Sequence, residues 1–245
     1  MNNALLMSSA GDIDFMIHGL FSYELFGHTL WITTSHVCIL IVMLSLIIFS
    51  IVAGRKMRRA TDVPDGFQNI VELVVELLDG MVAGSMGKSA PKFRNYIGTI
   101  FIFILVSNIS GLVGLRPPTA DYGTTFALGI ITFCLIHFNE VKHNSLKSIW
   151  IDKCSPLPPW LPIWLPINII SDIAVPISLS LRLFANVLSG TVMMALVYGL
   201  LSKIAYVWPA VLHVYFDLFS GAIQTYVFCM LTMTYIAQAI GDDNN

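Results

Sequence analysis

Charge is scarce in this sequence. Only 11% of its 245 residues are Asp, Glu, Lys or Arg, against 56% hydrophobic, and the mean hydropathy is +0.76. A soluble domain carries roughly 25% charged residues, so these charges cannot cover a globule in water. They sit in short clusters between apolar runs, the distribution expected of a chain surrounded by lipid. A basic excess is missing too: the formal net charge is -2, which argues against nucleic acid as a partner. Cysteines are few and far apart, at Cys38, Cys134, Cys154 and Cys229. No disulfide framework or zinc site is implied, and three of the four fall in apolar stretches where they pack as small hydrophobes. The first 30 residues hold no Lys or Arg and no apolar core followed by small residues. A cleaved secretory signal is therefore not expected, and the amino terminus belongs to the mature chain. No phosphate loop, metal motif or nucleophile elbow is present, so neither a cofactor nor soluble-type enzyme chemistry is expected.

What is abundant is apolar sequence in long runs. A hydrocarbon core about 30 Å thick needs about 20 apolar residues of helix. The runs predict an all-α polytopic membrane protein with about five membrane-embedded helices plus one amphipathic interfacial helix, the last two long and tilted. An external segment, 1-29, precedes a membrane domain over 30-245. The first span, 30-53, ends at Arg55, Lys56, Arg58 and Arg59, which the positive-inside tendency places in the cytoplasm, leaving the amino terminus outside. Residues 66-86 alternate at helical period, with Phe67, Ile70, Val71, Val74, Leu77, Leu78 and Met81 on the apolar side. The polar face is acidic, so docking on neighbouring protein explains this helix better than attraction to anionic lipid. A hairpin of spans follows over 97-138, turning at Arg116 to Asp121, and a second helix hairpin occupies 156-240 and returns the carboxyl terminus to the cytoplasm. Six of the 11 prolines lie between Pro156 and Pro176, beside Trp160 and Trp164, which predicts an irregular, tilted approach to the membrane.

One residue does not belong in lipid. Arg182 stands near the middle of a long apolar segment, with roughly 30 Å of helix on each side. Its side chain is too short to reach the interface, and a guanidinium keeps its charge at any biological pH. Such a placement costs at least about 2.5 to 3.5 kcal/mol and marks a bundle interior, an aqueous cavity or a partner charge. The simplest reading is a salt bridge within the chain, for which only Asp172 and Asp217 lie at comparable depth. The alternative rests on company. Ser171, Ser178, Asn186 and Ser189 recur on the face of Arg182, and His213, Asp217, Ser220 and Gln224 form a second stripe on the following helix. Two polar stripes at membrane depth suggest a route for a small ion.

The run Pro176-Ile-Ser-Leu-Ser-Leu-Arg182-Leu-Phe-Ala-Asn186 resembles the signature of subunit a of F-type ATP synthases, the stator half of the ion channel. Val63 to Asn69, Ile97-Gly-Thr, Ser107-Asn108, Arg116 to Asp121 and Gln224 to Phe228 match family patterns in the same order. The resemblance implies a stator in an energy-transducing membrane, most simply a bacterial plasma membrane. Its partners would be c-ring rotor subunits, peripheral-stalk b subunits and the other F0F1 subunits, with lipid around it. It implies that Arg182 faces a passing rotor carboxylate, that Asn186 and Gln224 tune the arginine, and that Asp217, aided by His213, serves an outer half-channel. Where the well-known bacterial pattern has glutamate nine residues after the arginine, this chain has Thr191, and where that pattern has histidine seven before the glutamine, it has Asp217. Asp172 stands in on the cytoplasmic half-channel for a carboxylate absent at Asn168, and Asn108 supports the same interior. The rival reading is a secondary ion transporter with a mid-membrane arginine site, which usually shows an internal repeat; none is visible. H⁺ or Na⁺ is left open, because the choice depends mostly on rotor ligands.

Overall fold

The computed structural model describes residues 19–25, 28–58, 66–145, 149, 151, 164–200 and 208–241. Two short antiparallel strands, β1 (Gly19–Leu25) and β2 (His28–Thr33), come first, with Tyr23 opposite Leu30 and Leu25 opposite His28. The rest is helical: α1 (Thr34–Met57), α2 (Gly66–Met86), α3 (Ala90–Ile109), α4 (Tyr122–His143), α5 (Trp164–Leu200), α6 (Trp208–His213) and α7 (Gly221–Ile240). A π-helical segment, Val214–Ser220, joins α6 to α7 without a break. Among the described residues, five continuous helical stretches are long and apolar enough to cross a membrane, α2 and α3 counting as one stretch. The membrane body is thus all-α and polytopic.

Several boundaries differ from those expected, each for a local reason. The first span begins at Thr34 instead of 30 because β2 continues to Thr33, whose hydroxyl and backbone N–H both engage the His36 ring and so start the helix. The hairpin of spans is longer than 97-138. Pro91 sits in the first turn of α3, where its missing N–H costs nothing, and at the other end α4 runs on to His143. Between them, 3₁₀ turns at Ser110–Val113 and Pro118–Ala120 and a left-handed Gly114 reverse the chain. The Asp121 carboxylate then caps α4 by accepting from the Gly123 N–H. The irregular approach expected over Pro156 to Pro176 is not seen where the chain is described: α5 is helical from Trp164, with Pro166 in its first turn and Pro176 inside it. Residues 156–163 lie outside the described residues, as does Cys154.

The core lies where α3, α5 and α7 meet, around Ile97, Ile104, Leu183, Phe228, Met233 and Ile236, all fully buried. Helix α4 packs along α5 at very close range. A Cβ on Gly129 would stand 2.7 Å from the Pro176 carbonyl oxygen, so only glycine fits that crossing. Gly129→Ala gains about 1 kcal/mol of helix propensity, but a methyl against a backbone atom must part the two helices, at a cost of about 1–3 kcal/mol. A net loss of thermal stability is expected on melting in detergent. A wild-type melting curve would show that the crossing is looser than the geometry requires.

Helix α2 packs along only one edge of its apolar stripe. It buries Leu78, Val82 and Met86, four residues apart, against α3 and α7, while Ile70, Leu73, Val74 and Leu77 are exposed. In water, apolar periodicity marks the inward face; in lipid an apolar face can point outward and small or mixed positions pack. The expectation that α2 docks on protein holds along one edge of that stripe, where Leu78 is buried and Met81 packs against the core. Asp79 Oδ1 lies 2.8 Å from Arg94 Nε of α3 on a partly exposed flank, a pair worth less than about 1 kcal/mol. Cys38 and Cys229 are buried thiols, whereas Cys134 is exposed on α4 and so does not pack inside.

Candidate functional site

Arg182 stands on the outward face of α5, between buried Leu179 and Leu183, and its side chain is exposed. Ser171, Ser178 and Ser189 share that exposed face. Among the described residues no carboxylate lies within ion-pair distance of the guanidinium. The within-chain salt bridge is therefore absent there: Asp217 lies beside His213 and Asp172 beside His137.

On the side of the 3₁₀ turns, Asn186 begins a chain of polar contacts. Its Oδ1 accepts from Ser220 Oγ at 2.8 Å. Ser220 closes the π segment, and Asp217, within that segment, has its Oδ2 3.1 Å from His213 Nδ1. Asp217 reaches α3's end because Gly111 is there: a Cβ at Gly111 would stand 3.3 Å from the Asp217 carboxyl. Asn186, Asp217, Asn108, Pro117, Gly190 and Gly221 are among the residues lining a small cavity of about 10 Å³, room for about one water. Asn108 is buried and fully engaged, its Nδ2 donating to the Gly221 carbonyl at 3.1 Å and to Thr225 Oγ1 at 3.3 Å, while its Oδ1 accepts from Thr119 at 2.8 Å. Gly221 is needed for this approach, since a Cβ there would lie 2.9 Å from Asn108 Cβ. Gln224 Nε2, one turn on, is buried with no hydrogen-bond partner among the described residues. Thr191 turns its hydroxyl to its own helix, donating to the Val187 carbonyl at 2.9 Å.

A second, larger cavity of about 240 Å³ opens at the other end, lined by His137, Glu140, Asp172, Val175, Tyr235 and Gln238 among others. Asp172 precedes Arg182 by ten residues and Gly190 follows it by eight, so the two cavities lie about 15 Å to one side and about 12 Å to the other along the helix axis. Pro176 has no N–H to give the carbonyl of Asp172, four residues earlier, which leaves a further polar atom at this end of α5. From sequence alone, His137 near the end of an apolar run was not joined to Glu140 in the hydrophilic stretch that follows it. The available signal was two ionisable groups three residues apart, on one helical face, beside membrane-depth Asp172.

The fold and these sites together define a polytopic helical membrane protein that carries ionisable side chains at span depth. The sequence profile described as "ATP synthase A chain" matches residues 36–237. The "ATP synthase subunit a, sodium ion specific" of Propionigenium modestum is 33% identical over 196 residues, 74% of this chain and 65% of the relative, so the match spans just under two thirds of that protein. The ATP synthase subunit a of Desulforamulus reducens is 35% identical over 71% of this chain and 68% of its own length. That of Anoxybacillus flavithermus is 30% identical over 84% of this chain and 92% of its own. This chain belongs to the ATP synthase A chain family.

Proposed function

We propose that this chain is the ion-translocating stator subunit of an F-type ATP synthase. It would work beside a ring of rotor subunits, with peripheral-stalk and other F0F1 subunits completing the complex. The observation that carries this reading is an exposed arginine at mid-span, with no carboxylate partner among the described residues and a cavity bearing ionisable side chains on either side of its level. A lone cation facing lipid costs several kcal/mol, so the face that bears Arg182, Ser178 and Ser189 needs a partner carrying negative charge. A rotor carboxylate supplies it. The cation holds that carboxylate ionised as it passes, so it drops its ion on one side and takes one up on the other. The two cavities serve as half-channels, Asp217 with His213 toward the outside and Asp172 toward the cytoplasm, with the amino terminus outside and the carboxyl terminus inside. Asn186, Gln224 and Asn108 hold the intervening polar interior, and Thr191 contributes only a hydroxyl already bonded to backbone. Each ion crossing gains about 2.3 kcal/mol per 100 mV, so several are summed by rotation for each ATP. The chain itself has no catalytic role in this reading, and the ion is H⁺ or Na⁺.

Cysteines placed at the face test the assembly. Ser178→Cys and Ser189→Cys are expected to form disulfides with cysteines on the outer helix of the rotor subunit, whereas Leu183→Cys, buried behind them, is not. Electrophoresis under non-reducing conditions reads the adduct. Equal cross-linking from all three, or from none, rules out this face as the rotor contact.

A further inference from the structure

The larger cavity holds a histidine that nothing above uses. His137 Nδ1 lies 3.1 Å from the Phe133 carbonyl oxygen, and since a carbonyl only accepts, Nδ1 carries the hydrogen. That leaves Nε2 as the ring's open acceptor. Nε2 stands 3.9 Å from Asp172 Oδ2 on α5 and 4.0 Å from Glu140 Oε2 on its own helix. The ring is held in this pose by a tilted contact with the Phe133 ring, 4.1 Å between centroids. Three ionisable groups from two helices thus converge on one water-sized gap within a space large enough for several waters. The titratable groups facing the imidazole are Glu140 from α4, Asp172 from α5 and Tyr235 from α7, and no Lys or Arg is among the described residues lining the cavity.

We propose that His137 passes protons between Asp172 and Glu140 and so sets the rate through this cavity. The proposal rests on the stator reading above and takes the proton as the ion. Asp172, protonated from the rotor side, gives its proton to Nε2, leaving a carboxylate and an imidazolium. The imidazolium then gives the proton from Nε2 to the Glu140 carboxylate, one turn nearer the end of α4, while Nδ1–H stays on the Phe133 carbonyl throughout. Separations of 3.9 and 4.0 Å exceed a direct hydrogen bond, so each step runs through one bridging water. Because imidazole exchanges protons near neutral pH, the step runs in either direction.

The test uses inverted membrane vesicles bearing the whole complex, with ATP synthesis and, after removal of the soluble sector, proton conduction measured while the pH on each face is varied separately. His137→Gln keeps the hydrogen bond to Phe133 but cannot carry the proton; His137→Phe keeps the ring contact with Phe133. Both are expected to slow conduction about tenfold or more. Both should also flatten its dependence on pH at the face toward this cavity only. Wild-type rate and profile in either variant overturns the relay. If neither variant assembles, Glu140→Gln carries the same expectation and the same refutation. Asp217→Asn, measured alongside, separates the two levels: slowed conduction there with unchanged His137 variants sinks the relay alone, while no change in any variant sinks the ion path itself. Synthesis driven by Na⁺ and indifferent to His137 overturns the relay as well.

Discussion

Arg182→Ala is expected to abolish coupled ATP synthesis while the complex still assembles. The argument is electrostatic. A rotor carboxylate passing about 4 Å from a guanidinium gains about 4 kcal/mol at an effective dielectric of 20, equivalent to roughly three pKa units. Without it the carboxyl group, surrounded by apolar side chains, keeps its proton or ion and carries it past the stator unreleased. Synthesis then falls roughly a thousandfold, to background. Assembly survives because Arg182 is exposed and its neighbours Leu179 and Leu183 supply the buried contacts of α5. The measurement is ATP synthesis in energised vesicles, with immunodetection of the assembled complex. Arg182→Lys is the more searching variant, since it retains charge but not the rigid planar fork. An alanine variant that makes ATP at the wild-type rate would falsify the stator reading.

Asp217→Asn should slow ion conduction about a hundredfold, the lower end of what one positioned proton-transfer group contributes. Asparagine matches aspartate in size, so the packing against Gly111 and the small cavity is preserved. What disappears is the charge beside His213, and with it the only carboxylate among the described residues lining that cavity. The effect should be confined to the pH or ion concentration at the face toward the 3₁₀ turns. Asp217→Glu adds one methylene where room for about one water exists, and partial recovery is expected. Full conduction through Asp217→Asn would remove this carboxylate from the path.

The parts of the fold set by composition were legible before any coordinates. Long apolar runs leave no alternative to spanning helices, because lipid offers no partner for an open backbone. Arg182 was legible for the same reason: a permanent charge in such a run is costly enough to demand an explanation. The direction of packing was not. The stripe on α2 marked a true helix but not which of its members meet protein: Leu78 is buried while Ile70, Val74 and Leu77 are exposed, since periodicity reports amphipathicity and not the packed side. The strands β1 and β2 and the close crossing at Gly129 depend on pairings across the chain that local pattern cannot show. His137 was hidden by ordinariness. A lone histidine at the end of an apolar run acquires meaning only when a distant helix brings Asp172 within 4 Å.

The π segment at Val214–Ser220 carries a further consequence. The α-helical spacing that groups His213, Asp217, Ser220 and Gln224 on paper is not the winding this stretch adopts. Such wide turns are rare and occur mostly as single-turn bulges inside regular helices, frequently at functional sites. A deletion of one residue here would let the rod tighten and become more regular, yet it would swing the acid away from Asn186 and the mouth beside Gly111. In this stretch tidiness and work are opposed, and a library selected only for heat resistance would be expected to converge on sturdy, silent chains.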